Sequence, residues 1–126
     1  MQNILTTSLQ QLDDTGQVMA RRVSTFADTS PVAGDWRNAV LIDTNELTLT
    51  MPTLQVRQVF LRNTHVSAKI TCKWTPYTGA SATILILGPG DGIAFWSQAT
   101  GATYGVSAVK LTSDTALATY EMFLGG

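Results

Sequence analysis

VSAKITCKWT, residues 66–75, is the stretch on which the reading of the fold turns. Val66, Ala68, Ile70, Cys72 and Trp74 alternate with Ser67, Lys69, Thr71, Lys73 and Thr75, and a period of two puts the two sets on opposite faces of an extended chain. A helix would spread both sets around its axis. One dry face and one wet face is the pattern of an antiparallel sheet that covers a core from one side.

Working outward toward the C-terminus, residues Pro76 to Ser81 read as a turn, and Thr83 to Leu87 as a strand apolar on both faces and central in its sheet. Gly88-Pro89-Gly90-Asp91-Gly92 is a tight connection, because proline fixes one dihedral and glycine admits positive ones. Ile93 to Ser97 then returns as a strand, which predicts a hairpin with the preceding one. Asp91 is expected to accept backbone hydrogen bonds within that turn. Thr100-Gly101 marks a further turn before a strand from Tyr104 to Leu111. In the last strand, Ala116 to Leu124, the residues Ala118, Tyr120, Met122 and Leu124 share one phase.

Toward the N-terminus, Asn63-Thr64 gives a break, and Leu54 to Arg62 carries Leu54 and Val56 in one phase but Val59 and Leu61 in the other. Either a β-bulge near Arg57-Gln58 resets the alternation, or the strand is covered on both faces. Pro52 stops a strand from Glu46 to Met51 in which Leu47, Leu49 and Met51 face inward. Ala39 to Ile42 is a short apolar run. About seven to nine short strands result, with no alternation of strands and helices. The fold class is all-β: an antiparallel β-sandwich or jelly-roll-like domain over residues 17–126, preceded by an N-terminal arm or short helix over residues 1–16.

That first segment is open to both descriptions. Ile4, Leu5, Leu9 and Leu12 stand close to helical spacing, while Thr6, Thr7 and Ser8 compete for backbone hydrogen bonds and weaken a helix. Asp14-Thr15-Gly16 makes a turn, Val18 to Phe26 is a strand interrupted by Arg21-Arg22, and Ala27 to Gly34 is a surface connection. Because arms and loops are easily spared by a core, the region before Trp36 is the candidate for reaching a neighbouring subunit. Ile4, Leu5, Leu9, Leu12 and Trp36 are the expected interface residues.

Composition bounds the function. At 126 residues the chain suits one domain with a real core. Only 13% of its residues are charged, whereas about 25% is usual. Its 19 threonines combine a strand-compatible branch with a surface hydroxyl. A surface with few charges to desolvate suits packing among copies of the same chain. Eight basic against nine acidic residues give a net charge of -1 without a basic stripe, so direct nucleic-acid binding is not expected. No segment reaches 18 continuous apolar residues, and no basic leader precedes an apolar run. Neither a membrane role nor secretion is expected, and synthesis is expected in a cytoplasm.

Chemistry finds little purchase. His65 is the single histidine and falls at a turn, so it reads as a locally hydrogen-bonded turn residue rather than a base. Cys72 lies in phase with Ile70 and Trp74, where burial suppresses the thiolate. These two are too few for zinc, and the aspartates are dispersed without a calcium-loop spacing. The glycine-rich stretch lacks the helix and the lysine of a phosphate-binding loop. No catalytic residue, metal or cofactor is expected. Trp36, Trp74, Trp96, Tyr77 and Tyr104 fall near strand ends, where rigid aromatic area suits a contact surface.

The Thr-rich faces, the arm and the run ILILGPGDGIAFWSQATGATYGVSAVKLTSDTALATYEMFLGG, residues 84–126, together resemble small accessory structural proteins of tailed bacteriophages. Those end in a strand, a Pro-Gly-Asp turn, another strand, and a last strand closing on Gly-Gly. The resemblance covers the last third of the chain. It implies a virion component of the capsid-decoration, head-fibre-base or tail-associated type, made in the host cytoplasm. It further implies a symmetric homo-oligomer, often a trimer, that docks to a capsid or tail protein and carries no catalytic residues. The alternative is a carbohydrate- or peptide-binding module that uses its loop aromatics. A hydrolase built around His65 stands third.

Overall fold

The computed structural model describes residues 2–28, 33–76, 82–97 and 105–126. The turn expected after Pro76, that at Thr100-Gly101, the aromatics Tyr77 and Tyr104, and residues 29–32 of the connection before Gly34 lie outside the described residues.

Among the described residues, ten strands follow one another: β1 (Asn3–Leu12), β2 (Val18–Asp28), β3 (Gly34–Leu41), β4 (Leu47–Thr48), β5 (Gln58–Asn63), β6 (Ile70–Pro76), β7 (Thr83–Leu87), β8 (Gly92–Trp96), β9 (Val106–Ser113) and β10 (Ala118–Gly125). All pairings are antiparallel, and the domain is all-β. Three sheets result, ordered β1-β2, β3-β10-β5-β8 and β4-β9-β6-β7. Four of the pairings are nested: Leu41 lies opposite Ala118, Leu47 opposite Leu111, Gln58 opposite Trp96 and Ile70 opposite Leu87. The described strands from Gly34 onward are therefore paired as one long ribbon doubled back on itself, with β6 and β7 its innermost pair. Two further pairings, β10 with β5 and β9 with β6, gather that ribbon into its two four-stranded sheets.

Period-two patterning explains which side chains go inside. In β10, Ala118, Tyr120, Met122 and Leu124 are buried in the expected phase, and Ile70 and Cys72 are buried in β6. With Val59 and Leu61 of β5 and Val109 and Leu111 of β9 they form one cluster drawn from both four-stranded sheets. The polar side chain of Asn63 enters it satisfied, donating from Nδ2 to the carbonyls of Ala68 at 2.8 Å and Leu87 at 3.0 Å. That amide ties β5 to the ends of β6 and β7, in place of an apolar residue at the same depth.

Several local expectations are corrected. Val66 is 89% exposed, so the dry face of residues 66–75 begins at Ala68; the turn held by Asn63 and His65 points Val66 away. Leu54 is exposed, and β5 begins only at Gln58. Val56 reaches the core through an isolated bridge to Val106, with reciprocal N–H···O bonds of 3.0 and 2.8 Å, so an irregular segment rather than a bulge in the ladder resets the phase. β7 is the edge of its sheet, not central, and presents Ile84 and Ile86 to solvent. β7 and β8 do not pair with each other. β7 joins β6 and β8 joins β5, so the Gly88–Gly92 turn crosses between sheets. Asp91 closes that turn as expected, accepting from the Gly88 N–H at 2.9 Å, and the Gly90 N–H donates to the Asn63 carbonyl at 2.9 Å.

The N-terminal segment is a strand and not a helix. Thr6, Thr7, Val23 and Thr25 are β-branched and suit an extended ladder, which runs from Asn3 opposite Asp28 to Leu12 opposite Val18. The arm is thus a hairpin reaching Asp28, rather than a single segment ending at residue 16. Its tip is set by Asp13, whose Oδ1 accepts from the Thr15 hydroxyl at 2.7 Å, the Thr15 N–H at 2.8 Å and the Gln17 N–H at 2.9 Å. Gly16 supplies the positive φ of +86° that the turn requires.

Candidate functional site

The hairpin projects from the body. Between Ser8 and Thr25 every side chain is exposed except Asp13, which is partly so. A two-stranded ribbon buries too little to be stable alone in water, and both of its strands are edges with unpaired backbone groups. Leu9 is 75% exposed, and Leu12, Val18, Met19 and Val23 are exposed with it. Leu12 sits opposite Val18 on one face, while Leu9 stands opposite Arg22 on the ribbon. Val18, Met19 and Val23 were not among the residues expected at an interface. Their signal was the run VMARRV, in which an apolar residue follows each side of the arginine pair.

At its root the hairpin docks. Phe26 and Asp28 are buried, and the Arg57 guanidinium lies 5.5 Å from the centre of the Phe26 ring and 3.7 Å from the Asp28 carboxylate. Arg57 is thereby the clamp between arm and body. Beside it, Phe123 of β10 stands between its neighbours Trp36 of β3 and Phe60 of β5 on the outer face of the sheet. The Trp36 and Phe123 rings are 4.8 Å apart and tilted by 42°, with Trp36 and Phe60 at 6.1 Å. Gly125 makes the row possible, since a Cβ there would stand 2.7 Å from a Phe123 ring carbon.

Between these rings and the start of β1 lies a cavity of about 210 Å³. Ile4, Leu5, Trp36, Phe60 and Phe123 give it apolar walls, and Gln2, Asn3 and Gln58 supply carboxamides. Gln58 is only 2% exposed, yet neither its Nε2 nor its Oε1 has a hydrogen-bond partner, and Asn3 Nδ2 is likewise unpartnered. Leaving a buried amide group unsatisfied costs about 1–3 kcal/mol. Of the five residues expected at an interface, the structure therefore gathers Ile4, Leu5 and Trp36 at this cavity and leaves Leu9 and Leu12 out on the hairpin. Gln58 and Asn3 were missed. A glutamine inside the apolar run of residues 54–61 is the available signal.

The other chemical candidates have local roles. His65 Nδ1 accepts the N–H groups of Ser67 at 3.1 Å and Ala68 at 2.9 Å, which uses it to shape a turn. Burial pushes the Cys72 thiol up to about 11, so at neutral pH it is not a thiolate. Among the described residues, no three His, Cys, Asp or Glu side chains gather where they could hold a metal ion. Glu46 bridges Lys73 at 3.0 Å and Lys110 at 3.7 Å on the open surface, and the Lys73 hydrogen bond is the main cause that holds its carboxyl below the usual range.

No protein-family model, curated protein or solved structure matches this chain.

Proposed function

We propose that this protein is a noncatalytic structural component of a tailed-phage virion, which self-associates through its N-terminal hairpin and docks to a capsid or tail assembly. The observation that carries the reading is the hairpin itself: a long ribbon with Leu9, Leu12, Val18, Met19 and Val23 open to solvent and, among the described residues, no other part of the domain covering them. A ribbon of this kind is completed by a neighbour that covers its apolar residues or pairs with its edges.

The body supports the same reading. Its nested pairs and the orders β3-β10-β5-β8 and β4-β9-β6-β7 support reading the body as a jelly roll, a folded ribbon wound into two sheets around one core. Jelly rolls serve as capsid and lectin domains, so the architecture suits an assembly protein, although a fold alone does not assign a function. A closed symmetric oligomer, with a trimer as the expected number, lets each hairpin reach the next subunit. Sedimentation of the full-length protein over a wide concentration range tests this. A mass that rises to a discrete multiple of the 13.5 kDa chain is expected, and a monomer at the highest concentration refutes the reading.

A further inference from the structure

The cavity at the hairpin root contains an expense that the fold does not explain. Gln58 keeps a carboxamide in a nearly solvent-free position with both of its polar atoms unpartnered, and Asn3 Nδ2 is unpartnered beside it. Leucine has a similar size and would leave no polar atom unsatisfied there. Residues that break a local rule of packing in this way are commonly found at functional sites.

We propose that this cavity binds one neutral sugar ring, with Gln58 and Asn3 as its hydrogen-bonding groups and Trp36 as its stacking wall. Three features select the ligand class. Among the described residues, the cavity walls hold no charged side chain, which suits a neutral ligand. Carboxamides both donate and accept, and so do the hydroxyls of a sugar. Trp36 is 69% exposed and backed by Phe123 and Phe60, so it presents a fixed aromatic face to the C–H face of a pyranose. The volume of about 210 Å³ is below the roughly 300–1,000 Å³ of drug-sized pockets and admits a single ring, such as the end of a glycan chain. The exposed position of Trp36 leaves the rest of such a chain a way out. This inference does not rest on hairpin-mediated assembly, because the cavity is formed by residues of one chain.

Isothermal titration of the full-length protein with the methyl glycosides of glucose, galactose, mannose and N-acetylglucosamine provides the test. At least one should bind saturably, with a Kd on the order of 1 mM. Trp36→Ala, an exposed substitution, and Gln58→Leu should each weaken that binding at least tenfold. Gln58→Leu carries a second signature: its melting temperature should rise, because an unpartnered amide has been removed. Saturation by none of the four sugars overturns the proposal, as does a Gln58→Leu protein that binds like the parent. A Gln58→Leu protein that melts lower than the parent also overturns it, since Gln58 would then be a structural group. Saturation by a neutral dipeptide amide, but by no sugar, assigns the cavity to peptide and refutes the sugar reading.

Discussion

The body from Gly34 to Gly126 and the hairpin from Asn3 to Asp28 are built from the same kind of strand, yet they treat their apolar residues in opposite ways. In the body, a strand such as β10 buries every second side chain completely, and Asn63 satisfies the backbone where the core meets a turn. In the hairpin, the apolar residues beyond the root stay exposed. The difference separates what folds the chain from what is available for partners: removing a side chain from the first region should cost stability, and removing one from the second should cost association.

The largest break in that comparison is expected at Met122, which is fully buried at the centre of the core. Met122→Ala should lower the unfolding free energy by about 2–5 kcal/mol in urea denaturation, because the cavity it leaves cannot fully collapse. Leu9→Ala, measured in the same way at a concentration where the protein is monomeric, should change it by no more than about 0.5 kcal/mol. An equal loss at both positions would mean that the hairpin packs on its own domain.

A substitution at the junction sharpens the same contrast. Gly125→Ala places a Cβ 2.7 Å from the Phe123 ring, which must move against Trp36 and the hairpin root. A loss of about 1–3 kcal/mol is expected, together with a changed tryptophan emission spectrum. A silent Gly125→Ala would show that the aromatic row is loosely held.

Much of the body could be read from the sequence because alternation survives wherever a strand has one dry face. Ala118, Tyr120, Met122 and Leu124 were legible for this reason, as were Ile70 and Cys72. Partner choice was not legible. Thr83 to Leu87 is apolar on both faces whether it is central or at an edge, and Gly88 to Gly92 turns the chain equally well within a sheet or between two sheets. The hairpin was ambiguous because Ile4, Leu5, Leu9 and Leu12 fit a helical stripe, while the strand that pairs with them begins beyond a turn and carries two arginines. Of the cavity, Trp36 was legible as an aromatic beside a loop. Gln58 was hidden because its environment is made by Phe123 and the start of β1, which are remote in sequence.

The smallest expected effect is electrostatic. Asp114 accepts the Lys69 N–H at 2.9 Å, and that bond is the main cause that lowers its carboxyl below the usual value; Asp13 is lowered chiefly by the Thr15 hydroxyl. Both groups have folded pKa values depressed below the unfolded ones. Their contribution is therefore present above the unfolded pKa, near 3.8, and is lost as pH falls through the lower folded values. Asp114→Asn removes that contribution, so it should lower the melting temperature slightly at neutral pH and change it least at the acid end, where Asp114 is protonated in folded and unfolded chains alike. A drop at acid pH as large as that at neutral pH would show that the loss does not come from the carboxylate's charge.

Hydrogen exchange along the hairpin tests the central claim most directly. The backbone amides of Val18 to Thr25 that face away from β1 have no partner strand among the described residues, and the exposed ladder between β1 and β2 is weakly protected. On raising the protein concentration, exchange in this segment should slow at least tenfold while the amides of β10 keep their already slow rate. Hairpin amides that exchange equally fast in dilute and concentrated protein, at concentrations where sedimentation shows an oligomer, would contradict the assignment of the hairpin as the element that joins subunits.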